Sequence, residues 1–345
     1  MAKATKQSAP LKRPSITDVA KMAGVSPSAV SKVMRDAYGV SPLMKAKVED
    51  AIKKLGYRPR TGARAMRGKS HLIGVQVPNF GNDFFTQIID GIQSKLSGTQ
   101  FQIVIAPPNR GDSGTPTLEA LVDHQVDGIL AVGLDVPPEE MLKIARETPV
   151  VMIGRHDTSH EYDSVYSDDA EGARLALTYL YEQGHRHISH VTLKPSFDRD
   201  DAKNPHRVRL DAYLDFMRKH GLESCVLVHD FGANGLDDEL SQMLNQTLPT
   251  TAIFAGHDEL AVEVLESLAR LSHGKNTVAV IGYDDTKLAG HPMIDLTTVR
   301  QYGEQLGKKA TELLLERLRG ERETATHLSV TPKLIVRGTT PAPRT

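Results

Sequence analysis

The chain has 345 residues, which is enough for more than one domain with its own core, and its one cysteine, Cys225, excludes an intrachain disulfide framework and a cysteine-rich zinc module. No apolar run approaches the roughly 18 residues of a membrane span, and the polar opening lacks the apolar core of a secretory signal, so we expect a cytoplasmic protein. The net charge of −1 conceals an asymmetry, because residues 1–70 have a net charge of +12 and residues 71–345 have a net charge of −13. DNA phosphates attract the basic part and repel the acidic part, so we expect only residues 1–70 to contact DNA.

A basic tail at residues 1–14 precedes three short predicted helices at residues 15–58. We interpret Thr17 as the N-cap of the first helix and Gly24 as its C-terminal stop. A Ser-Pro pair at positions 26–27 starts the second helix, and another at positions 41–42 starts the third. Because only two residues separate the first helix from the cap of the second, the pattern predicts a helix-turn-helix, whose second helix enters the major groove of DNA.

A glycine-containing stretch, GARAMRGKS, follows the head and invites comparison with a phosphate-binding loop. Five residues separate Gly62 from Gly68 where that loop requires four, and a strand-like run follows where a helix should begin. The spacing therefore argues against nucleotide hydrolysis here.

From His71 onward, short apolar runs such as LIGVQV and FQIVIA alternate with amphipathic stretches, and a second series from HISHVTL to VAVIG repeats the pattern. The alternation predicts two parallel sheets covered by helices, with a ligand at the carboxyl ends of the strands. The expected fold class is a small all-α helix-turn-helix head followed by a doubly wound, two-lobed α/β body at residues 71–340.

The head segment ITDVAKMAGVSPSAVSKVMRDAYGV resembles that of the lactose-repressor/galactose-repressor (LacI/GalR) family, and the motifs GHDELAVEVLESL, VAVIGYDD and LTTVRQYGEQLGKKATELLLERL extend the resemblance over almost everything after about Ser15. It implies a sequence-specific transcription regulator, expected to be a repressor, whose operator affinity a small ligand controls. It also implies a body similar to the type I periplasmic binding proteins, with lobe 1 at residues 71–183 and 300–319 and lobe 2 at residues 185–296 and 321–338.

For the head, the resemblance implies that Pro27, Ser28 and Lys32 read base edges, with Lys32 able to donate to guanine O6 or N7. Residues 59–69 correspond to the family's hinge helix, in which Met66 would wedge into the minor groove, although an ordinary basic linker is the alternative. The other positions implied to contact DNA are Thr17, Ser26, Ala29, Ser31, Arg35, Tyr57, Arg60 and Arg64. Ala29 and Arg35 depart from the Thr and Asn that the family usually has there.

For the body, the resemblance implies that Arg209 and Asp284 bind ligand hydroxyls or a carboxylate, and that an aromatic ring from Phe84 or Phe85 stacks on the ligand. We expect one of the two phenylalanines to be core and Phe84 to be the contact. His257 replaces a common Asn and would make binding sensitive to pH. Asp83 and Arg155 are further candidates, with Asn79 and Asp168 behind them.

The sequence contains none of the common catalytic motifs, so we expect no enzyme and no cofactor. His185, His187 and His190 lack a third metal ligand, and we interpret them as solvated rather than as a metal site. We expect a homodimer on a pseudo-palindromic operator, since the chain ends without an added heptad helix, and a sugar or glycoside as ligand, with a nucleoside or purine second. The alternatives are a solute-binding receptor and a sugar-processing enzyme on the same body.

Overall fold

The computed structural model describes residues 14–34, 38–57, 70–109, 113–133, 136–193, 203–229, 236–271 and 278–343. The chain divides into two compact units, Met1–Ser70 and His71–Thr345, which we call the head and the body. No described helix has both the length and the apolar character needed to cross a membrane.

The head consists of three helices, α1 (Ile16–Ala23), α2 (Pro27–Met34) and α3 (Pro42–Leu55). Their inner faces meet in one core that includes Val19, Val30 and Val48, each with no exposed surface. The core is small because each helix contributes only one apolar stripe. The three-helix arrangement predicted from the sequence is confirmed.

The first helix begins earlier than the sequence analysis predicted. Ser15, not Thr17, is the N-cap: its hydroxyl accepts the Asp18 backbone N–H, and the Asp18 carboxylate accepts from the Ser15 backbone N–H over 2.8 Å. This reciprocal pair is a capping box, which stabilises a helix start more than a lone threonine does. Thr17 therefore lies inside the helix, on its exposed side.

The body contains two six-stranded sheets, each flanked by helices on both faces. In the first sheet all neighbours are parallel, in the order β11 (His327–Val330), β5 (Asp163–Ser167), β4 (Val150–Ile153), β3 (Gly128–Val132), β1 (Leu72–Gln76) and β2 (Gln102–Ala106). The second follows the order β12 (Lys333–Ile335), β10 (Thr297–Arg300), β9 (Ala279–Asp284), β8 (Ala252–Ala255), β6 (Ile188–Leu193) and β7 (Cys225–His229), with only the β10–β12 pair antiparallel. The two predicted parallel sheets are confirmed.

Each sheet with its helices forms one lobe of the body. Lobe 1 has α4 (Asp83–Leu96), α5 (Thr115–Asp123), α6 (Pro138–Glu147) and α11 (Gly303–Arg319). Lobe 2 has α7 (Asp169–Glu182), α8 (Pro205–Lys219), α9 (Leu236–Leu244) and α10 (Asp258–Arg270). The chain crosses between the lobes after β5, after β10 and after β11.

The lobe boundaries expected from the sequence are wrong at two places. Residues 169–182 form α7, which packs its alanine and leucine stripe on lobe 2 around Tyr283, not on lobe 1. Residues 327–330 form an edge strand of lobe 1 beside β5, not part of lobe 2. The expected bounds rest on the family resemblance, and the pattern of each segment cannot correct them, because an amphipathic or apolar pattern states that a segment is buried but not which sheet buries it.

Two glycines allow α4 and α11 of lobe 1 to approach closely. A Cβ on Gly91 would collide with the backbone carbonyl of Glu304, and one on Gly307 would collide with that of Ile88. The helices thus touch backbone to backbone, and any side chain at either position would push them apart.

Candidate functional site

The head presents an exposed polar face on α2. Pro27, Ser28 and Lys32 are exposed, whereas Val30 and Val33 on the opposite side of the helix are buried. Ser28 and Lys32 are four residues apart and therefore neighbours on one side of the helix. The predicted base-reading residues are thus together and accessible.

The other head candidates have more mixed surroundings. Ser26 caps α2, since its hydroxyl accepts the Ala29 backbone N–H over 3.2 Å, and it also bonds the Ser28 hydroxyl over 2.8 Å. Ala29 and Ser31 are half-buried, and Tyr57 packs against the core of the head. The predictions for Arg35, Arg60, Arg64 and Met66, and for the hinge at residues 59–69, concern positions outside the described residues.

In the body, a cavity of about 540 Å³ lies between the two lobes. Loops after β1, β3 and β4 contribute its lobe 1 wall, and the starts of α8 and α10 with the end of β9 contribute its lobe 2 wall. The carboxyl ends of parallel strands and the starts of helices meet at the same edge of such a sheet, so this is where a doubly wound fold places a ligand.

Arg209 is buried in the lobe 2 wall of the cavity and is held on three sides. Its Nε donates to Asp169 over 2.7 Å, its Nη1 donates to the Gly256 carbonyl, and its guanidinium lies 3.8 Å above the ring of Tyr283. A buried guanidinium with a paired carboxylate is fixed in place, so Arg209 presents a preset charge to whatever occupies the cavity.

Asp284 ends β9 and faces the cavity from lobe 2. It accepts from the Gln301 side chain over 2.5 Å and from the Asn82 side chain over 3.3 Å. Burial and the nearby Asp258 carboxyl raise the pKa of Asp284 well above its usual value. Its φ of 128° lies in a region that side chains rarely adopt, and such strain is typical of functional positions.

His206 and His257 line the same wall of the cavity. His257 is the N-cap of α10, and its Nδ1 accepts the Leu260 backbone N–H over 3.3 Å, so Nε2 carries the proton of the neutral ring. Burial and Arg209 lower the pKa of His257 to about 4. The ring is therefore neutral near neutral pH, and the expectation that His257 makes ligand binding sensitive to pH stays a prediction.

The lobe 1 wall is apolar and aromatic. Phe84 and Phe85 both line the cavity, with ring centroids 6.1 Å apart. Phe84 is the more buried of the two and belongs to the core of lobe 1, whereas Phe85 is half-buried. The expected division into one core ring and one contact ring is present, but the expectation that Phe84 is the contact is wrong: Phe84 is the core ring and Phe85 is the more accessible one.

Asp83 and Arg155, two of the predicted ligand contacts, are not part of the cavity wall. The Asp83 carboxylate accepts from the Thr86 hydroxyl and from the Lys287 backbone N–H. Arg155 is buried in an ion pair with Asp157 at 3.2 Å. Both side chains face protein partners beside the cavity, which corrects their assignment.

Several polar residues of the wall were missed by sequence reasoning. These are Asn82, Asn204, His206, Glu259 and Gln301. Asn82 and Asn204 are N-caps of α4 and α8, and each side-chain oxygen accepts a backbone N–H two residues on. An asparagine directly before a helix is a readable cap signal, so these two positions were recognisable as helix starts, if not as cavity residues.

The lobes contact each other on both sides of the cavity. On one side Asn82 bonds Asp284 and the Gln87 side chain donates to the Asp285 carbonyl over 3.1 Å. On the other, His156 Nε2 lies 2.8 Å from an Asp169 carboxylate oxygen. The two lobes are therefore in direct contact beside the cavity.

The predicted solvation of the clustered histidines is wrong for two of them. His185 and His190 are buried, and the His190 ring stacks between Tyr213 and Phe254. Among the described residues, no group of three or more His, Cys, Asp or Glu side chains is arranged to hold a metal ion.

Two family models match the chain. Residues 15–60 match that described as bacterial regulatory proteins, lacI family, and residues 177–340 match that of a periplasmic binding protein-like domain. Among curated proteins, the ribose operon repressor of Escherichia coli (strain K12) is 32% identical over 330 residues, covering 93% of this chain and 98% of the relative. The HTH-type transcriptional repressor PurR of Edwardsiella ictaluri (strain 93-146) is 30% identical, covering 93% and 95%.

Solved structures with the same fold include two that span nearly the whole chain. A complex of the transcriptional regulator CelR with cellobiose has a TM-score of 0.68 and 29% identity, covering 95% of this chain and 100% of that one. The Lac repressor dimer bound to operator and the anti-inducer ONPF has a TM-score of 0.76 and 24% identity, covering 96% and 100%. The similarity thus includes both the head and the body.

Proposed function

Because the chain belongs to the LacI family of bacterial regulatory proteins, we propose that it is a transcriptional repressor whose head binds operator DNA and whose body senses a small ligand. The observation that carries this proposal is the cavity between the lobes. It lies between lobes that are joined by hydrogen bonds, and it is lined by buried polar side chains beside two phenylalanine rings. Such a site binds a compact molecule with an apolar face and many hydrogen-bonding groups.

The head supplies the DNA-binding surface. Ser28 and Lys32 would contact base edges from the exposed face of α2, and Pro27 would pack on a thymine methyl. The basic character of residues 1–70, at +12, supplies affinity for phosphates. The remaining predicted contacts, from Arg35, Arg60, Arg64 and the Met66 wedge, belong to the same proposal.

We assign a sugar as the ligand class. The relatives include a ribose operon repressor and a regulator in complex with cellobiose. A sugar ring would stack its apolar face on Phe85 while Asp284, Arg209 and the asparagines bond its hydroxyls. Removing a hydroxyl from such a ligand would leave a buried polar group without a partner, and this cost gives specificity.

Ligand binding and DNA binding are coupled through the closure of the lobes. A ligand that bonds Asp284 and Asn82 competes with, or reinforces, the contact between lobes 1 and 2, and so changes their relative placement. In a homodimer on a pseudo-palindromic operator, that change alters the spacing of the two heads. The coupling is reciprocal, so operator DNA changes ligand affinity by the same factor.

One experiment tests this function directly. The full chain is incubated with a pool of random duplexes, bound sequences are enriched, and the selected operator is titrated with and without sugars at fixed salt. We expect a two-fold related consensus and a change of at least fivefold in DNA affinity with an active sugar, without conversion of that sugar. If no sequence is enriched, the proposal is wrong; if the sugar is turned over, the body is an enzyme.

A further inference from the structure

We infer that His156 is a positioning residue of the ligand site and makes that site respond to pH. From lobe 1 it bonds the carboxylate of Asp169, which holds Arg209 in the lobe 2 wall of the cavity. The contact between the lobes and the placement of Arg209 therefore depend on each other, and protonation of the His156 ring strengthens the contact. The inference rests on the proposed function, because it concerns the regulation of the same cavity.

The Asp169 carboxylate is shared between the two lobes. Asp169 begins α7, directly after the chain crosses from lobe 1, and it is only 1% exposed. Its Oδ1 accepts from Arg209 Nε over 2.7 Å, and its Oδ2 accepts from His156 Nε2 over 2.8 Å. An ionised carboxylate only accepts hydrogen bonds, so Nε2 of His156 bears the proton of this bond. Because one rigid group makes both bonds, it cannot shift towards either partner without lengthening the bond to the other.

The position of the His156 ring is set by lobe 1. The ring lies in the loop between β4 and β5, and its centroid is 4.4 Å from that of the Tyr166 ring on β5. The next residue of the loop, Asp157, is fixed to the same lobe, since its carbonyl accepts from the Ser164 hydroxyl over 2.8 Å. A separation of the lobes would therefore withdraw the His156 ring from Asp169.

The same loop also contacts the chain that enters α8. The His156 backbone N–H donates to the Lys203 carbonyl over 3.1 Å, and the Asp157 carboxylate pairs with the Lys203 ammonium over 3.1 Å. Lys203 directly precedes the N-cap of α8, and Arg209 lies in the second turn of that helix. One loop of lobe 1 thus acts on Arg209 in two ways, through Asp169 and through the start of its helix.

A second proton on the His156 ring adds charge attraction to a bond that already exists. Histidine is the side chain whose charge ordinarily changes between about pH 5 and 8, and a hydrogen bond between two ionised groups is stronger than one with a neutral donor. The ring has its carboxylate partner only where the lobes meet. The added stabilisation of the contact is therefore present at the low end of this range and is lost as the pH rises.

The charged groups around the His156 ring come from both lobes. Arg209 repels a protonated ring, but it bonds the other oxygen of the carboxylate, so Asp169 lies between the two cations. The other groups near the ring are Arg155 and Asp157 in its own loop, Lys203 before α8 and Tyr166 on β5. Asp157 is paired with both Arg155 and Lys203, which leaves Asp169 as the carboxylate that bonds the ring.

The two histidines of the cavity wall do not produce the same pH dependence. Burial and Arg209 lower the pKa of His206 well below its usual value, and that of His257 to about 4. Both rings therefore stay neutral between pH 6 and pH 8. The contribution of His156 is separated from that of more distant histidines by substitution.

Hydrogen exchange of single backbone amides in the full chain tests the inference without a ligand. The His156 N–H bonds across the lobes, whereas the Gly154 N–H donates to the Val165 carbonyl within lobe 1 over 2.9 Å and is the internal reference. Protection factors correct for the effect of pH on the intrinsic exchange rate. We expect the protection of the His156 amide to be roughly threefold or more higher at pH 6 than at pH 8, and that of Gly154 to be unchanged.

Three variants assign the effect to the ring. His156→Gln keeps a donor for Asp169 but cannot be protonated, and His156→Ala removes the donor. His160→Gln, at an exposed position of the same loop, is the matched control. We expect His160→Gln to behave as the wild type, His156→Gln to lose the pH dependence, and His156→Ala to lower the protection at both pH values.

Binding of a sugar tests the effect on Arg209. D-Ribose and cellobiose are titrated by calorimetry into the wild type and the three variants at pH 6 and pH 8. We expect a sugar that binds to bind the wild type roughly threefold or more tightly at pH 6 than at pH 8. The same sugar should bind His156→Ala more weakly than the wild type at both pH values.

The inference is overturned if the protection of the His156 amide is equal at both pH values, if His156→Gln retains the pH dependence, or if a sugar binds the wild type and His156→Ala equally. When a sugar then still changes operator affinity, the proposed function stands and only the role of His156 is wrong. When the amide responds to pH as expected but no sugar binds or changes operator affinity, the role of His156 in the contact stands and the sugar-sensing part of the proposed function fails.

Discussion

The side-chain amide of Asn82 in lobe 1 donates to the Asp284 carboxyl in lobe 2 over 3.3 Å, and the same Asn82 caps helix α4 through its oxygen. Asn82→Ser retains a capping side chain and removes only the reach to Asp284, whereas Asn82→Ala removes both. We expect both variants to weaken ligand binding about two- to tenfold, since Asn82 lines the cavity and a hydrogen bond contributes about 0.5–1.5 kcal/mol. The free energy of unfolding of Asn82→Ala should also be about 1 kcal/mol lower than that of Asn82→Ser, because alanine cannot cap the helix. Urea titration and calorimetry measure both effects, and equal stability of the two variants would refute the capping role.

Arg209→Met should destabilise the body strongly, because it leaves the buried Asp169 carboxylate without its guanidinium partner. The expected loss in the free energy of unfolding is about 3–5 kcal/mol. Arg218→Met, on the same helix but with an exposed ion pair to Asp215, should cost under about 1 kcal/mol. Arg209→Lys retains the charge and serves to test ligand binding in a folded protein; unchanged affinity in that variant would remove Arg209 from the site.

Gly307→Ala should separate helices α4 and α11, since the added Cβ would meet the Ile88 backbone. Overpacking of this kind costs about 1–3 kcal/mol, more than alanine gains in an isolated helix. Ser94→Ala, on the exposed side of α4, should change stability by less than about 0.5 kcal/mol. Urea unfolding monitored by circular dichroism checks the pair, and a stabilising Gly307→Ala would show that the helices do not touch.

Lys32→Ala should relax discrimination at one base pair of each operator half-site by about 1–3 kcal/mol, because Lys32 lies on the exposed face of α2. Lys54→Ala, an exposed lysine of α3 with an ion pair to Asp50, is the control and should leave the preference for each base unchanged. Competition with operators that carry single substitutions provides the measurement. A uniform loss over all sequences would make Lys32 a phosphate contact.

The contribution of His190 to the free energy of unfolding should fall as the pH is lowered from about 6.5 towards 4. Burial lowers the pKa of His190 to about 4, as it does that of His257. Across this window the His190 ring binds a proton in the unfolded chain that it does not bind in the folded protein, so this contribution to stability decreases with falling pH. His190→Phe keeps the stacking between Tyr213 and Phe254 but cannot titrate. Its stability should depend less steeply on pH between 4 and 6.5 in urea titrations at constant salt; an unchanged slope would contradict the assignment.

The alternation of apolar runs with amphipathic stretches was sufficient to predict both sheets, because the buried strands are apolar throughout and the helices that cover them are apolar on one face. The lobe of α7 was not predictable from that pattern. Its side chains face Tyr283, and Gly172 is required where that ring crosses the helix. Gly172 and Tyr283 are more than 100 residues apart in the chain, so no local sequence pattern predicts their contact.

The residues of the cavity wall were likewise predictable only in part. Arg209 and Asp284 could be placed from family resemblance, and the structure puts both in the wall. His206 could not, because its importance comes from lying beside His257 and Gly256, which are distant in sequence. The sequence analysis named Asp83 and not its neighbour Asn82. Consecutive side chains at a helix start point in different directions: Asn82 reaches Asp284, whereas Asp83 bonds the Lys287 backbone N–H.

The three crossings between the lobes determine when each part of the molecule can be completed during synthesis. Lobe 1 needs α11 and the edge strand β11, and lobe 2 needs β12, although both lobes begin far earlier in the chain. The head has its whole core by residue 57. Because chains are made in order at about 5–20 residues per second, the head is able to fold some 15–60 seconds before either lobe is whole. During that interval a nascent chain has a DNA-binding surface with no sensor to govern it.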